Sequence, residues 1–295
     1  MRRWRDTTSP QSCPVTIAQK SDVDPAEFFG SGAVSDVGLR ALSQLKELRE
    51  VYLNYTLVSA NGLVGLSASH DLQVLQVGNS RITDDHAEQF DLFRHLHSLS
   101  LSGNGLSPSR ICRAILNLKE LGSFDADHTA ADDSVATCLQ RQPSLRVIDL
   151  SHTKLDDRGA AQLSAITTLE EVWLKETMIT DAGVKSFRSL PRLAVLSLPV
   201  TLITDKATKD LAQIRSLREL YLGGTKITDQ GIRDLSELPN LRTLFVPGCE
   251  GVTEASLEYF AAFPNLERIS LSTTHISPEG LRHLVVIRPR ISIAQ

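Results

Sequence analysis

The sequence predicts an α/β fold: a right-handed solenoid with a parallel β-sheet on its concave face and helices on its convex face. Two observations support this prediction. A leucine opens a new unit every 24 or 25 residues, and each unit joins a strand-type pattern to a helix-type pattern. Such a period is typical of stacked repeats, in which neighbouring units bury one another's apolar faces. The opening residues are Leu48, Leu72, Leu96, Leu121, Leu145, Leu169, Leu193, Leu217, Leu241 and Leu266.

The first part of each unit is predicted to be a short strand. Apolar residues occupy its first, fourth and sixth positions, as in Leu169, Val172 and Leu174. The last two are two residues apart, which is the spacing of side chains on one face of a strand. Adjacent strands need about 4.7–4.9 Å, whereas adjacent helices need about 8–10 Å. The stack must therefore curve, with the strands on the inside.

A threonine follows each strand at a fixed distance, and an aliphatic residue comes two positions later, as in Thr177 and Ile179. The threonine hydroxyl can bond backbone groups of the adjoining loop, which would otherwise be buried and unpaired. Stacked units then form a threonine ladder. The predicted ladder contains Thr153, Thr177, Thr201, Thr225 and Thr274.

The last part of each unit is predicted to be a short helix. In Thr180-Asp181 the threonine is placed as a helix N-cap, and the aspartate lies in the first turn. Apolar residues then recur at helical spacing, and Pro191 ends the helix. One helix position often holds glycine, which indicates close packing between units. These glycines are Gly159, Gly183, Gly231 and Gly280.

The stretch from Leu217 to Leu241 shows the whole pattern, which reads LxxLxLxxTxITDxGLxxLxxL in consensus form. This pattern resembles the leucine-rich repeat family. It is most similar to the large arrays of such repeats in bacteria, especially planctomycetes, and also to the repeats of ribonuclease-inhibitor-like and F-box proteins. The resemblance runs from about Val34 to the C-terminus and implies a leucine-rich-repeat solenoid, or horseshoe. The family is a scaffold for binding many kinds of partner, so the resemblance implies little about the partner.

The unbroken period predicts one elongated domain over residues 28–295, with about ten repeats and a degenerate capping unit at each end. Residues 1–27 are predicted to be an irregular N-terminal arm: a disordered tail, a capping tail or a targeting arm. This arm holds three prolines and no apolar core of the length of a secretory signal. The segment Ile291-Ser-Ile293 is predicted to be a last strand that covers the end of the sheet.

Composition narrows the classes of function. A net charge of −4 gives no reason to expect a nucleic-acid partner, which would require a basic surface. The chain has no apolar run of about 18 residues, so no membrane span is expected, and we predict a cytoplasmic location. The four cysteines show no CxxC pairing and are interpreted as structural residues in a reducing compartment. The pair Gly223-Gly224 lacks the lysine of a phosphate-binding loop, so no cofactor is predicted.

The strand positions that point away from the core lie on the concave face, where their chemistry is available to a partner. Large aromatic side chains on such a solvent-facing sheet often mark a surface that something covers. We expect charged residues beside them to match the charge of the partner. The predicted partner-binding residues are Tyr52, Asp125, Asp149, Trp173, Lys175, Glu176, Tyr221 and Phe245.

Aspartates and histidines also cluster on two adjacent strands. Such side chains could bind a divalent ion. A solvated acidic patch with two surface histidines is the favoured interpretation, so no metal site is predicted. The cluster comprises Asp125, Asp127, His128, Asp149 and His152.

The sequence therefore favours a non-enzymatic module that binds a protein or peptide on its concave face. An alternative is a substrate-recognition or regulatory subunit of a larger complex, similar to a ligase adaptor; the expected lack of an F-box-like segment before the repeats counts against it. A third hypothesis is an enzyme or metal protein that uses the Asp/His cluster. No catalytic residue and no oligomeric state are assigned.

Overall fold

A single β-sheet runs through the whole molecule. The computed structural model describes Val15–Gln19, Ala26–Phe28, residues 34–85 and residues 87–294. Within these residues the sheet has 13 strands, and the strands from β3 onward are parallel and adjacent in chain order. The strands are β1 (Val15–Gln19), β2 (Ala26–Phe28), β3 (Leu48–Tyr52), β4 (Val74–Gln76), β5 (Ser98–Ser100), β6 (Ser123–Asp125), β7 (Val147–Asp149), β8 (Glu171–Trp173), β9 (Val195–Ser197), β10 (Glu219–Tyr221), β11 (Thr243–Phe245), β12 (Arg268–Ser270) and β13 (Ser292–Ala294).

Helical segments connect the parallel strands and pack on the other side of the core. The α-helices are α1 (Asp36–Arg40), α2 (Pro108–Ile115), α3 (Asp133–Leu139), α4 (Asp157–Leu163), α5 (Asp181–Ser186), α6 (Asp205–Leu211), α7 (Asp229–Leu235), α8 (Leu257–Ala262) and α9 (Pro278–Ile287). Shorter 3₁₀ segments span Ala60–Leu66, Ala87–Leu92, Phe187–Ser189 and Glu254–Ser256. The predicted solenoid, with its sheet on the concave face and its helices on the convex face, is confirmed.

The hydrophobic core lies between the sheet and the helices. All ten leucines that open the units are buried there, and even the most accessible of them, Leu266, is only 3% exposed. The central residue of each strand from β4 to β12, such as Leu196 on β9, points into the same core. Each unit therefore completes the core of its neighbours.

The threonine ladder forms as predicted. The Thr177 hydroxyl donates to the Leu174 carbonyl, three residues earlier, at 2.8 Å. The same bond to the carbonyl three residues earlier is made by Thr153, Thr201, Thr225 and Thr274. Cys249 takes the ladder position in its own unit. Its thiol donates to the Leu222 carbonyl at 3.2 Å, and burial raises the pKa of this thiol.

A ladder of carboxylates links successive helices. Thr180, Thr204 and Thr228 cap their helices as predicted. In addition, the Asp181 carboxylate accepts hydrogen bonds from the backbone N–H of Thr204 at 2.7 Å and from its hydroxyl at 2.8 Å. Each such acid therefore fixes the helix start of the next unit. The same pair of bonds is made by Asp36, Asp157, Asp205 and Asp229.

The recurring glycines make room for this ladder. A Cβ at Gly183 would meet the Asp157 carboxylate, and a Cβ at Gly231 would meet the Asp205 carboxylate. Gly159 and Gly280 face the acid of the preceding unit in the same way. The predicted close packing is confirmed, and its reason is the approach of a carboxylate to the helix backbone.

Both ends of the parallel sheet are covered. At the N-terminal end, β1 pairs antiparallel with β3 and β2. The sequence analysis assigned no regular structure to residues 1–27, whereas β1 and part of β2 lie within them and cover an edge that would otherwise be unpaired. Residues 1–14, 20–25 and 29–33, including the basic start and Cys13, lie outside the described residues. At the other end, the predicted last strand is confirmed as β13.

A disulfide between Cys112 and Cys138 joins α2 to α3. The sequence shows no CxxC pairing, and the expectation of scattered thiols is wrong for these two cysteines. They are 26 residues apart, close to one repeat period, so the stack places them on neighbouring helices. Cys249 is the free thiol of the described part of the chain. Among the described residues, no helix is long and apolar enough to cross a bilayer.

Candidate functional site

Three aromatic rings form a continuous row on the concave face. Trp173, Tyr221 and Phe245 are the last residues of β8, β10 and β11, and each is partly exposed. The Trp173 and Tyr221 ring centroids are 5.4 Å apart, and those of Tyr221 and Phe245 are 5.1 Å apart. Two strand spacings would separate the first pair by about 10 Å. The rings meet because the residue between them, Ser197, is small and 3% exposed beneath them.

The two polar groups of this aromatic row differ in their hydrogen bonding. Within the described residues, the Trp173 indole Nε1–H is buried without a hydrogen-bond partner. The Tyr221 hydroxyl donates to Glu219 at 2.6 Å, and Glu219 in turn accepts from Arg268 at 3.2 Å. Tyr221 is therefore held in place, whereas Trp173 retains an unused donor.

A pair of aspartates lies next to the aromatic row. Asp125 and Asp149 are register partners on β6 and β7, and Asp149 is also the register partner of Trp173. Asp125 is 7% exposed and accepts a hydrogen bond from the Ser100 hydroxyl at 2.7 Å. Burial raises the pKa of the Asp125 carboxyl to about 6. Burial, reinforced by the charge on Asp125, raises the pKa of Asp149 to about 7.

The turn beyond these strands holds two stacked histidines. The ring centroids of His128 and His152 are 3.7 Å apart. Their Nδ1 atoms lie 2.8 and 2.7 Å from the same oxygen, Oδ1 of Asp127. On the opposite side of its ring, His152 Nε2 lies 3.3 Å from Oε1 of Glu176. The Lys175 ammonium lies 3.7 Å from that oxygen, so the charges of this turn form a connected group.

Tyr52 does not join the other predicted residues. It lies on β3, and β4 and β5 separate it from Asp125 on β6. Its hydroxyl donates to Glu50 at 2.9 Å. The remaining predicted residues fall into three adjoining groups: the aromatic row, the aspartate pair and the charged turn.

The sequence analysis missed a second row of concave-face residues, which precede the predicted row by two positions. Glu219 belongs to it, and so does Arg268. Strand alternation places residues two apart on the same face, so this row was open to prediction. At the start of β10 to β12, these and neighbouring residues line a depression of about 510 Å³ that carries both signs of charge. Its lining residues are Arg218, Glu219, Arg242, Glu267 and Arg268.

Comparison with known proteins supports the repeat pattern. Residues 141–164 and 213–236 match the model of the Leucine Rich repeat family. Each match is 24 residues long, and the two begin 72 residues apart, which is three periods of the repeat. No curated protein matches the chain.

Solved structures resemble the fold. The chain is similar to an internalin (inlF) from Listeria monocytogenes, with 20% sequence identity and a TM-score of 0.58 over 88% of this chain and 82% of that chain. It is also similar to a leucine-rich repeat protein of Leptospira interrogans, with 16% identity and a TM-score of 0.46 over 86% of this chain and 91% of that chain. The matched repeats and the internalin-like solenoid show that this chain has a leucine-rich-repeat fold.

Proposed function

We propose that this chain is a non-enzymatic binding module that holds a protein or peptide partner on its concave face. The contact centres on Trp173, with Tyr221 and Phe245 on one side and the aspartate pair on the other. The observation that carries this proposal is the row of three touching aromatic rings on a solvent-facing sheet. Leucine-rich repeat proteins generally mediate protein–protein interactions through extended surfaces of this kind.

The aromatic row is not needed to close the core. Strand alternation points the neighbouring Leu196 and Leu220 to the opposite face of the sheet, where they are fully buried in the core. Tryptophan and tyrosine are among the commonest energetic anchors of protein interfaces, because they remove a large rigid surface from water on contact. An exposed row of such rings therefore favours a partner that covers it.

Charge narrows the chemistry of the partner. Asp149 lies beside Trp173, and Asp125 lies behind Asp149. An arginine or lysine of the partner would pair with Asp149 while its cation stacks on the Trp173 face. We therefore propose a partner segment with a basic residue next to an apolar one, and no nucleic acid. Lys175 and Glu176 would contact the polar rim of such a segment.

The disulfide indicates the kind of cellular compartment in which this module functions. Disulfides persist in oxidising compartments and are rare in the cytosol. The Cys112–Cys138 bond therefore favours an oxidising compartment over the cytoplasmic location expected from the sequence.

Substitution of the anchors tests the proposal. A partner is first captured with the whole chain, and its affinity is then measured for Trp173→Ala, Tyr221→Ala and Phe245→Ala, each checked for an unchanged circular dichroism spectrum. We expect a loss of about 2 kcal/mol or more for Trp173→Ala, which corresponds to roughly 30-fold weaker binding. Lys185→Glu on the exposed side of α5 is the control and should bind normally. Normal binding by all three aromatic variants, with loss for the Lys185 variant, would place the working surface on the convex face.

A further inference from the structure

We propose that Asp127, His128 and His152 form a binding site for a divalent transition-metal ion of the Zn²⁺ class. The site lies in the turn at the edge of the concave face. The site is formed by these three side chains with Glu176 beside them, and it does not depend on the proposed partner.

The three ligand atoms already converge. Nδ1 of His128 and Nδ1 of His152 approach the same oxygen of Asp127 at 2.8 and 2.7 Å, and one ligand atom from each residue lies within 4.8 Å of the other two. Around a four-coordinate zinc ion, ligands stand about 2.0–2.1 Å from the metal and hence roughly 3.3 Å from one another. To admit an ion, the two Nδ1–Oδ1 distances must therefore open by about half an ångström.

The carboxylates around His152 favour a bound cation. Its Nδ1 faces Asp127 and its Nε2 lies 3.3 Å from Glu176, so a carboxylate stands at each ring nitrogen. A neutral imidazole has only one N–H and can donate to only one of them. A metal ion on Nδ1 resolves this conflict, because Nε2–H is then free to donate to Glu176. A carboxylate that orients the far nitrogen of a histidine ligand is the usual arrangement around bound zinc.

The backbone holds both histidines in the required direction. His128 and His152 occupy the same position in adjacent units, and both have a left-handed backbone with φ 52°. The position is left-handed in other units too, where Gly103 and Gly224 occupy it. The repeat therefore sets the backbone position from which each side chain leaves, and adjacent strands set the spacing of the two residues. What distinguishes this pair of units is that both carry histidine, with Oδ1 of Asp127 within 2.8 Å of both Nδ1 atoms.

The ligand set favours one class of metal. Two imidazole nitrogens and one carboxylate oxygen suit Zn²⁺, with Cu²⁺ and Ni²⁺ as tight competitors, whereas Ca²⁺ and Mg²⁺ prefer six or more oxygen ligands. Three protein ligands leave a fourth position open. The His128 side chain is 58% exposed, so this position faces solvent.

Calorimetric titration of the whole chain with Zn²⁺ tests the site, with Ca²⁺ as the comparison ion. We expect Zn²⁺ to bind and to raise the melting temperature, and Ca²⁺ to do neither. His152→Ala and His128→Ala should each weaken Zn²⁺ binding at least tenfold. The matched control is the double variant His95→Ala/His97→Ala. These histidines share Glu120 but are 57% and 56% exposed and do not converge, so the control should bind Zn²⁺ as the wild type does.

Glu176→Gln and Asp127→Asn separate the roles of the two carboxylates without changing side-chain size. We expect the Asp127 variant to lose a ligand and the Glu176 variant to show a smaller loss. No heat and no rise in melting temperature for the wild type would overturn the proposal. Equal weakening by the His95/His97 control would overturn it as well, because binding would then belong to surface histidines in general.

Discussion

Trp173 combines a partly exposed ring with a buried donor that has no partner among the described residues, at some expense of stability. Its buried Nε1–H has no partner among the described residues, and an unsatisfied buried donor costs about 1–3 kcal/mol. We expect Trp173→Phe to melt at or above the wild-type temperature, because phenylalanine keeps the ring and removes the donor. The control is Tyr221→Phe, which loses the bond to Glu219 and should melt lower. A clear drop in the melting temperature of Trp173→Phe would show that the indole stabilises the chain.

Asp149 predicts a pH dependence of stability. Its pKa in the folded chain is raised to about 7, whereas an unfolded aspartate titrates near 3.9. The folded state therefore holds a proton that the unfolded state releases, and the stability from this group, complete below the unfolded pKa, is lost as the pH rises through about 7. Asp149→Asn should raise the free energy of unfolding by roughly 1–3 kcal/mol at about pH 8 and change it little at about pH 4.

Urea unfolding at both pH values, in buffer with a chelator, measures this effect. Asp71→Asn, at an exposed aspartate, is the control and should show no such dependence. An Asp149 variant that follows the wild type at both pH values would mean that the carboxyl titrates normally in the folded chain.

Individual concave-face residues could be predicted because strand alternation fixes which side chains leave the core. Trp173, Tyr221 and Asp149 were found in this way. The contact between the Trp173 and Tyr221 rings could not be predicted, because it depends on rotamers and on the small Ser197 between them. The convergence of two histidines on one oxygen of Asp127 depends on rotamers in the same way.

At the scale of the element, the carboxylate ladder fixes each helix to the next. Asp205 accepts two hydrogen bonds from Thr228, at 2.9 and 2.6 Å, and both belong to a helix cap. We expect Asp205→Ala to lower the free energy of unfolding by about 1–3 kcal/mol, because it leaves these donors without a charged acceptor. Asp210→Ala on the same helix is the control. Asp210 forms a surface ion pair with Arg188, which is worth about 0–1 kcal/mol.

Urea unfolding of both variants gives the comparison. If the Asp205 and Asp210 variants lose equal stability, the ladder contributes no more than an ordinary surface charge.

The disulfide joins α2 to α3 beside the unit in which Ala126 and Ala131 replace larger aliphatic residues. Closing a loop of 26 residues stabilises a folded chain by about 3–4 kcal/mol in the chain-entropy view. The double variant Cys112→Ser/Cys138→Ser should therefore melt lower than the wild type, and a reductant should lower the wild type to the same temperature. The intact mass of the native protein should be two hydrogens below that of the reduced chain. If the melting temperature of the wild type does not change with reductant, the disulfide does not stabilise this region.

The order of strand, turn and helix within each unit could be predicted, because periodicity and capping residues act locally. The pairing of Cys112 with Cys138 was missed although their separation is close to one repeat period. Residues about one period apart lie on neighbouring helices, and this consequence of the repeat was not applied to the cysteines. Strand β1 was missed because its antiparallel pairing with β3 lies outside the repeat pattern. Residues 60–66 and 87–92 form 3₁₀ segments in units where the helix signal is weak.

At the scale of the whole molecule, the solenoid has one continuous core. A substitution that weakens the core of one unit should therefore lower the stability of the whole stack. Leu196 on β9 is fully buried near the middle of the array. We expect Leu196→Ala to lower the free energy of unfolding by about 2–5 kcal/mol, measured by urea unfolding. Leu202→Ala is the control, since Leu202 is 58% exposed and its truncation should change little. A Leu196 variant that unfolds like the wild type would show that the position does not belong to the core.

In the carboxylate ladder each acid bonds the helix cap of the next unit along the chain, so the ladder is compatible with different numbers of units. Each acid contacts the cap residue and the adjoining helix backbone of the following unit, so a unit can follow another when its helix begins with such a cap and leaves room for the carboxylate. Deleting residues 180–203 would join Ile179 to Thr204, and Asp157 would then receive Thr204 in place of Thr180. The distance between Asp149 and Phe245 would shorten by one strand spacing, about 4.8 Å. The separation between acidic and aromatic contacts can therefore change only in whole steps, which would let duplication or loss of a unit refit the array to a longer or shorter partner.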